Sequence, residues 1–332
     1  MDPKPQHFLL TCRVGFESHL VQELEADPRQ APRVLGPGLV ETRSAPKKEP
    51  IFARTGFVVL GTSARIDAGP RGALQGAFRK LAKEHPFHLQ VWALDTDDAN
   101  RRAQEAQELE TTLLASLASL GPMATPALAK ARNGWLFQVC LWGKHHVTWG
   151  HVLAHQALSL APGGRRRMQR GNDTPSRAGM KLDEALERLG IEPGKGETCV
   201  DLGAAPGGWT QRLLAMGARV TAVDPATLRP ELTQHPKLTH LKRSAFSYAP
   251  DEPFDWLFCD MAWKPREVAQ MLAKWGRNRW ATHLVANLKL PMQTKVAELQ
   301  LARSLLEDAG WKTLTIKQLY HDRDEVTVMG HR

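Results

Sequence analysis

Four charged residues of this chain stand where solvation alone explains them poorly. Asp260 follows the apolar run Trp256-Leu257-Phe258-Cys259, and Lys289 sits between Leu288 and Leu290 at the end of another apolar run. Lys181 lies in the helical pattern that starts at Arg177, and Glu325 opens the last apolar run after His321-Asp322-Arg323-Asp324. Each alone is more often a surface charge or a structural ion pair. Two lysines and two carboxylates at one rim, three at strand ends and Lys181 on the helix leading into the first strand, are the residue types of proton transfer and charge placement, at the edge where open α/β sheets bind ligands.

The strongest local signal lies between them. Val200-Asp201-Leu202-Gly203-Ala204-Ala205-Pro206-Gly207-Gly208-Trp209 reads as a strand turning through small residues into a helix, which lets backbone approach a ligand closely. The G-x-G-x-x-G dinucleotide fingerprint is absent, so hydride chemistry loses its main support. Asp224, in Val223-Asp224-Pro225, ends the next strand and is placed to accept hydrogen bonds from ribose hydroxyls. An Asp-Leu-Gly-x-x-Pro-Gly-Gly turn followed by a second-strand acid is how S-adenosylmethionine sites of the RNA methyltransferase type look. Asp201, Gly203, Ala205, Pro206, Gly207, Gly208 and Asp224 are therefore the candidate donor-binding residues.

Alternating elements position these residues. Ser176 can cap a helix carrying Met180, Leu182, Ala185, Leu186 and Leu189. Strands at 198–202, 218–223, 254–259 and 283–288 alternate with helices at 209–216, 268–275 and 296–309, and strands at 314–319 and 326–329 close the chain. That alternation predicts a doubly wound parallel α/β sheet, a Rossmann-like domain, whose final hairpin makes the last strand antiparallel. The first half reads differently. Residues 7–13 form a strand, Phe16, Leu20, Val21 and Leu24 one helix face, and 51–61 a second strand. Leu74, Phe78 and Leu81 mark another helix, 88–94 a strand and 100–120 a long helix; 135–142 and 145–152 alternate as hairpin arms. This predicts an α+β module of about 155 residues, two ferredoxin-like subunits in series, with no nucleotide-binding loop.

A chain of 332 residues has length for two cores, and its 42% apolar and 24% charged residues are ordinary globular values. No apolar run reaches membrane-span length and Phe8-Leu9-Leu10 is too short for a signal-peptide core, so a soluble cytoplasmic protein is expected. Cys12, Cys140, Cys199 and Cys259 are dispersed, as reduced buried thiols are. His145, His146, His151 and His155 cluster without Cys or carboxylate partners at ligand spacing, so no metal is expected. The net charge is +9, and Arg165, Arg166, Arg167, Arg170, Arg177 and Lys181 face only Asp173, which suits a polyanion or a solvated linker. Trp209 and Trp263 are candidates for stacking a nucleotide or for plain packing.

Residues 175–332 resemble the FtsJ-type ribose 2′-O-methyltransferases that carry a Lys-Asp-Lys-Glu tetrad. They are most similar to the bacterial ribosomal RNA large subunit methyltransferase M family, in Asp-Leu-Gly-Ala-Ala-Pro-Gly-Gly-Trp-Thr, Cys-Asp-Met, Asn-Leu-Lys-Leu-Pro-Met and Lys-Gln-Leu-Tyr-His-Asp-Arg-Asp-Glu-Val-Thr-Val. The likeness extends more weakly to Leu9-Leu10-Thr11-Cys12-Arg13 and Gly15-Phe16-Glu17. It implies a catalytic tetrad of Lys181, Asp260, Lys289 and Glu325, with Lys289 as general base. It also implies a donor site that includes Ser176, Ala205, Pro206, Gly207, Gly208, Asp224 and Asp260. Ser244 stands where the family has an acid directed at the adenine region, and Ala205 where it has a cysteine. The implied domains are a ferredoxin-like piece over 1–50, a THUMP-like RNA-binding domain over 51–160, a basic linker over 161–176 and the methyltransferase domain over 177–332. The implied partner of this expected monomer is 23S rRNA, free or in a pre-ribosomal particle, methylated at a cytidine.

A second ammonium at Lys181 and partial desolvation favour neutral Lys289, while Asp260 and Glu325 oppose it; the sequence leaves that balance open. Two rivals stand beside this reading. A small-molecule methyltransferase would leave the first module without a purpose, and a non-catalytic RNA-binding protein would not need an intact tetrad.

Overall fold

A computed structural model describes residues 7–65, 68–82, 85–96, 99–120, 123–165 and 177–332, and it divides into two compact units at Arg166/Arg167. The first contains β1 (Phe8–Cys12), α1 (Glu17–Leu24), β2 (Arg33–Gly36), β3 (Leu39–Thr42), β4 (Ala53–Ser63), α2 (Ala68–Ala82), β5 (Phe87–Ala93), α3 (Ala99–Leu117), α4 (Pro126–Ala131), β6 (Trp135–Trp142) and β7 (His146–Leu153). Its seven strands form one sheet in the order β2-β3-β1-β4-β7-β6-β5, antiparallel except for β5 beside β6. The expectation of two ferredoxin-like subunits in series meets a continuous sheet here. β1 pairs with both β3 and β4, so hydrogen bonding runs straight across residue 50.

Helices α2 and α3 bury Leu74, Phe78, Leu109, Leu113 and Leu117 against Phe87, Leu89, Phe137 and Val139. The Phe78 and Phe137 rings stack at 4.3 Å, and dispersion and water release from such apolar packing hold the helices to the sheet. Two of the four histidines noted in the sequence make aromatic contacts: His146 stacks on Trp142 and His151 meets Trp135 edge-on. Among the described residues no group of three or more His, Cys, Asp or Glu side chains is gathered as a metal site.

The second unit contains α5 (Arg177–Leu189), β8 (Thr198–Leu202), α6 (Gly208–Ala215), β9 (Arg219–Val223), α7 (Pro230–Thr233), β10 (Leu238–Leu241), β11 (Phe254–Cys259), α8 (Pro265–Arg277), β12 (Ala281–Lys289), α9 (Lys295–Asp308), β13 (Lys312–Lys317) and β14 (Glu325–His331). The strand order is β10-β9-β8-β11-β12-β14-β13. The first five strands are parallel, and β14 inserts antiparallel between β12 and β13. This is the doubly wound sheet with an antiparallel finish that the alternating pattern predicts. Its central strands are covered on both faces, so Val200, Leu202, Leu257, Phe258, Leu284 and Val285 read as continuous apolar runs and are fully buried.

Topology fixes where a ligand can reach. The strand order reverses beside β8, and the loops after β8, β9, β10, β11 and β12 gather at the carboxyl ends of the parallel strands. Because β14 runs the other way, its first residue lies beside the last residue of β12. All the charged candidates singled out in the sequence except Lys181 therefore belong to this one edge, and Lys181 reaches it from α5.

Candidate active site at the carboxyl edge of the second sheet

The turn after β8 is built from backbone. Gly203 has φ +75° and Gly207 φ +107°, left-handed conformations that a side chain would strain. A Cβ at Gly203 would also collide with the Met261 side chain, and one at Gly207 with Leu232. Asp224 ties this turn to the next loop. Its Oδ2 accepts from the Ala205 amide at 3.0 Å, and its Oδ1 from the Ala226 amide at 2.8 Å. That leaves an acceptor-only group, held rigidly at the end of β9 with lone pairs to spare, which fits the diol of a ribose.

Asp201 occupies a different place from the one its motif suggests. It is 1% exposed, and its Oδ2 accepts from the Thr210 hydroxyl at 2.6 Å, joining β8 to α6. Burial, only partly offset by the Thr210 hydrogen bond, pushes its carboxyl up to about 7. Its carboxyl braces the turn from behind rather than lining it. Ser244, after β10, is exposed, and its hydroxyl accepts from the Phe246 amide at 3.3 Å. Ser176 lies outside the described residues, as do Arg166, Arg167 and Arg170.

The four charged candidates meet. Glu325 receives Lys181 on Oε1 and Lys289 on Oε2, both at close ion-pair contact. Lys289 Nζ also lies 3.4 Å from Asp260 Oδ1. Sheet register explains the encounter: Lys289 is paired directly with Glu325 across β12 and β14, and Asp260 follows Cys259, which pairs with Ala286. Lys181 is brought in by its own helix. One turn on, the Glu184 carboxylate accepts from the Tyr320 amide at 2.7 Å and the His321 amide at 3.3 Å, pinning α5 to the loop before β14. On the apolar face of α5, Leu182, Ala185 and Leu186 enter the core.

Lys181 and Glu325 are buried, whereas the Lys289 side chain is 34% exposed and is the open face of the cluster. Desolvation works to lower the Lys289 ammonium, but Asp260 and Glu325 outweigh it and hold the group above the usual lysine range. The balance left open by the sequence falls toward the charged form in this arrangement.

Asn287 was not among the sequence candidates. It is fully buried, and its Nδ2 donates to Asp260 Oδ1 at 3.1 Å. Its Oδ1 accepts from the Thr327 hydroxyl at 2.8 Å, across a directly paired register position. The signal was present: a polar residue in each of two apolar strands, placed face to face, needs a partner. The tryptophans separate cleanly. Trp209 is core, with Nε1 donating to the Ala178 carbonyl at 2.7 Å, while Trp263 is 51% exposed.

A glycine turn tied down by the Asp224 carboxylate, beside a lysine–carboxylate cluster on this strand order, is the arrangement expected of an S-adenosylmethionine-dependent methyltransferase. Comparison with known proteins agrees. A family model described as FtsJ-like methyltransferase matches residues 174–317. The ribosomal RNA large subunit methyltransferase M of Xanthomonas campestris pv. campestris (strain B100) is 34% identical over 98% of this chain and 99% of its own length. The protein of the same name from Xylella fastidiosa (strain M12) is 37% identical over 70% of this chain and 68% of its own. Among solved structures, fibrillarin of Aeropyrum pernix with bound S-adenosyl-L-methionine superposes with a TM-score of 0.37 at 14% identity, covering 58% of this chain and 82% of that one, too low to carry any argument about the site. The chain belongs to the ribosomal RNA large subunit methyltransferase M family.

Proposed function

We propose that this chain methylates the ribose 2′-hydroxyl of a cytidine in 23S rRNA, with Lys181, Asp260, Lys289 and Glu325 as its catalytic tetrad. The observation that carries this reading is the convergence of two lysines on one carboxylate at the strand edge that also carries the donor turn. S-adenosylmethionine, when bound, supplies an electrophilic methyl group on a sulfonium. The turn from Gly203 through Ala205, Pro206, Gly207 and Gly208 would hold it through backbone, with Asp224 on the ribose diol and Ser176, Ser244 and Asp260 as further contacts. Asp201 would serve by bracing that turn.

A ribose hydroxyl is a weak nucleophile until its proton leaves. Lys289, the exposed member of the cluster, accepts that proton once neutral, as the oxygen attacks. Asp260 and Glu325 fix the direction of its amine, so the acceptor is already aimed when the hydroxyl arrives. Lys181, anchored on Glu325, keeps a positive charge close to the oxygen as negative charge develops on it.

The other parts follow the same reading. Residues 1–50 form a ferredoxin-like piece, 51–160 a THUMP-like RNA-binding domain and 161–176 a basic linker ahead of the methyltransferase domain at 177–332. Together they hold rRNA through phosphate contacts and shape, which place RNA without specifying a base. The protein acts as a cytoplasmic monomer on free rRNA or a pre-ribosomal particle.

The test is to incubate purified protein with methyl-labelled S-adenosylmethionine and 23S rRNA that lacks the modification, both naked and in an assembling subunit, and to digest the product to nucleosides. The reading predicts label in 2′-O-methylcytidine. Label on a base overturns the ribose assignment, and no transfer to either RNA overturns the substrate.

A further inference from the structure

Two loops at the carboxyl edge of the second sheet carry an aromatic pair that the reaction described above does not use. Among the described residues of the second unit, the exposed large apolar side chains are Ile191, Trp263 and Met292. Trp263 and Met292 stand three positions beyond Asp260 and Lys289, and the parallel neighbours β11 and β12 lead into those two charges. The rim of the charged cluster is therefore also a place where the unit leaves large apolar side chains in water, and exposed apolar surface of this kind marks contact sites.

The Trp263 ring is held in place. Its amide donates to the Met261 carbonyl at 2.9 Å, in a turn that ends where Pro265 starts α8. Its Nε1 donates to Glu267 Oε2 at 2.6 Å, one helical turn on. Phe246, from the loop after β10, lies against it with ring centroids 5.6 Å apart and planes at 54°. An indole has one polar hydrogen, and Glu267 takes it. What Trp263 still offers is a flat π surface, which recognises another flat ring by stacking and not by hydrogen bonding.

The surrounding charges narrow the choice of ring. Lys242 and Arg243 open the loop after β10, Lys264 and Arg266 follow Trp263, and all four are exposed. Lys264 pairs with Glu267 at 3.2 Å. Asp251 and Glu252 belong to the other end of the β10–β11 loop, next to Phe254, where β11 begins and the sheet presents its amino edge. The segments 242–246 and 263–267 thus carry four cationic side chains to one carboxylate around an aromatic platform. Single-stranded nucleic acid binds such a combination, its bases stacking while its phosphates meet the cations.

We propose that Trp263, backed by Phe246, is a stacking platform for a base of the RNA substrate at or next to the reacting ribose. Bringing a 2′-hydroxyl down to Lys289 at a sheet edge requires RNA opened from its helix, and a base parted from its neighbours regains a stacking partner on the indole. Stacking tolerates any base, so the platform places the strand and leaves the choice of nucleotide to other contacts. Lys242, Arg243 and Arg266 take the flanking phosphates.

This proposal rests on RNA being the substrate, and the two fail differently. A wild-type enzyme that transfers no methyl group to unmodified 23S rRNA takes both away; with transfer intact, variants of Trp263 decide the platform alone. In the full-length protein, Trp263→Ala should raise the KM for 23S rRNA about tenfold, with kcat and the Kd for S-adenosylmethionine within about twofold of wild type. Trp263→Phe, which keeps a ring against Phe246, should recover most of the loss. The loss should be the same factor at low and high salt, because stacking releases no counterions, whereas Arg266→Ala should reduce the salt slope by about one. A 23S rRNA fragment carrying 2-aminopurine at the methylated cytidine or at either neighbour should lose fluorescence on wild type at one of these positions and keep it on Trp263→Ala. An unchanged RNA KM in Trp263→Ala, or equal fluorescence on both proteins at every position, overturns the proposal. So does a weakened Kd for S-adenosylmethionine with the RNA KM unmoved, which would assign the indole to the adenine of the donor instead.

Discussion

Each of the two sheets contains a buried polar network, and the two are built to opposite ends. In the first, Trp92 Nε1 donates to Gln138 Oε1 at 2.8 Å, Gln138 Nε2 to Gln90 Oε1 at 2.6 Å and Gln90 Nε2 to the Leu160 carbonyl at 2.7 Å. Every member is neutral, and the run closes on backbone. It does what buried amides do in a core, which is to fix the register of β5 against β6. In the second, a run of similar length begins on Asp322 and Thr327 but opens into Asp260, Lys289, Glu325 and Lys181, with the Lys289 side chain one-third exposed. Gathering four charges at a partly dry sheet edge costs desolvation that an apolar cluster would avoid. A fold that keeps such an arrangement departs from what stability alone favours, and the contrast sets a polar network that holds strands against one that we propose holds a reaction.

Substitutions should divide along that line. Glu325→Gln leaves two ammonium groups without their shared counter-charge, and methyl transfer should fall at least a hundredfold, with stability reduced by about 3 kcal/mol; single-turnover rates and urea titrations check both. A variant that keeps wild-type transfer would make Glu325 a scaffold residue like Gln138. For the wild type, the raised Lys289 ammonium must lose its proton before it can act. The single-turnover rate should therefore climb about tenfold per pH unit through neutrality, with no plateau below the usual lysine range near ~10.4. A plateau near pH 7 would place the base elsewhere.

The Asp201 carboxyl makes stability itself depend on pH. Its folded value near 7 lies above the ordinary 3.8, so the folded state keeps a proton that the unfolded state gives up. Its contribution is full below about pH 4 and is lost as pH rises through 7, a decline of order ~4 kcal/mol. Asp201→Asn, which keeps an acceptor for Thr210, should flatten the stability curve over that interval; urea titrations at several pH values that run parallel for both proteins would refute it. The smallest effect belongs to the neutral network. Gln138→Leu should cost about 1–3 kcal/mol of stability and leave transfer per folded molecule unchanged.

The glycine turn and the meeting of the four charges were legible in the sequence for different reasons. Asp201 to Trp209 is contiguous, and a strand running through glycines into a helix announces itself locally. Lys181, Asp260, Lys289 and Glu325 are scattered, yet Asp260, Lys289 and Glu325 each bound an apolar run, the sheet order turns those strand ends into neighbours, and Lys181 joins them from α5. For Asp201 a motif position does not say which way a carboxyl faces, and packing against Thr210 decides it. The hairpin β2–β3 escaped because Arg33 and Val34 are exposed and the strands too short for alternation to show. Asn287 and Thr327 lie far apart in the chain and become a pair only through cross-strand register, which exists once β14 is placed beside β12.

The central claim is that Lys289 takes the proton. Lys289→Ala, assayed with labelled S-adenosylmethionine on unmodified 23S rRNA alongside calorimetric titration of the cofactor, tests it most directly. Transfer should vanish while cofactor affinity stays within a few-fold of wild type. Turnover undiminished in that variant would contradict the account.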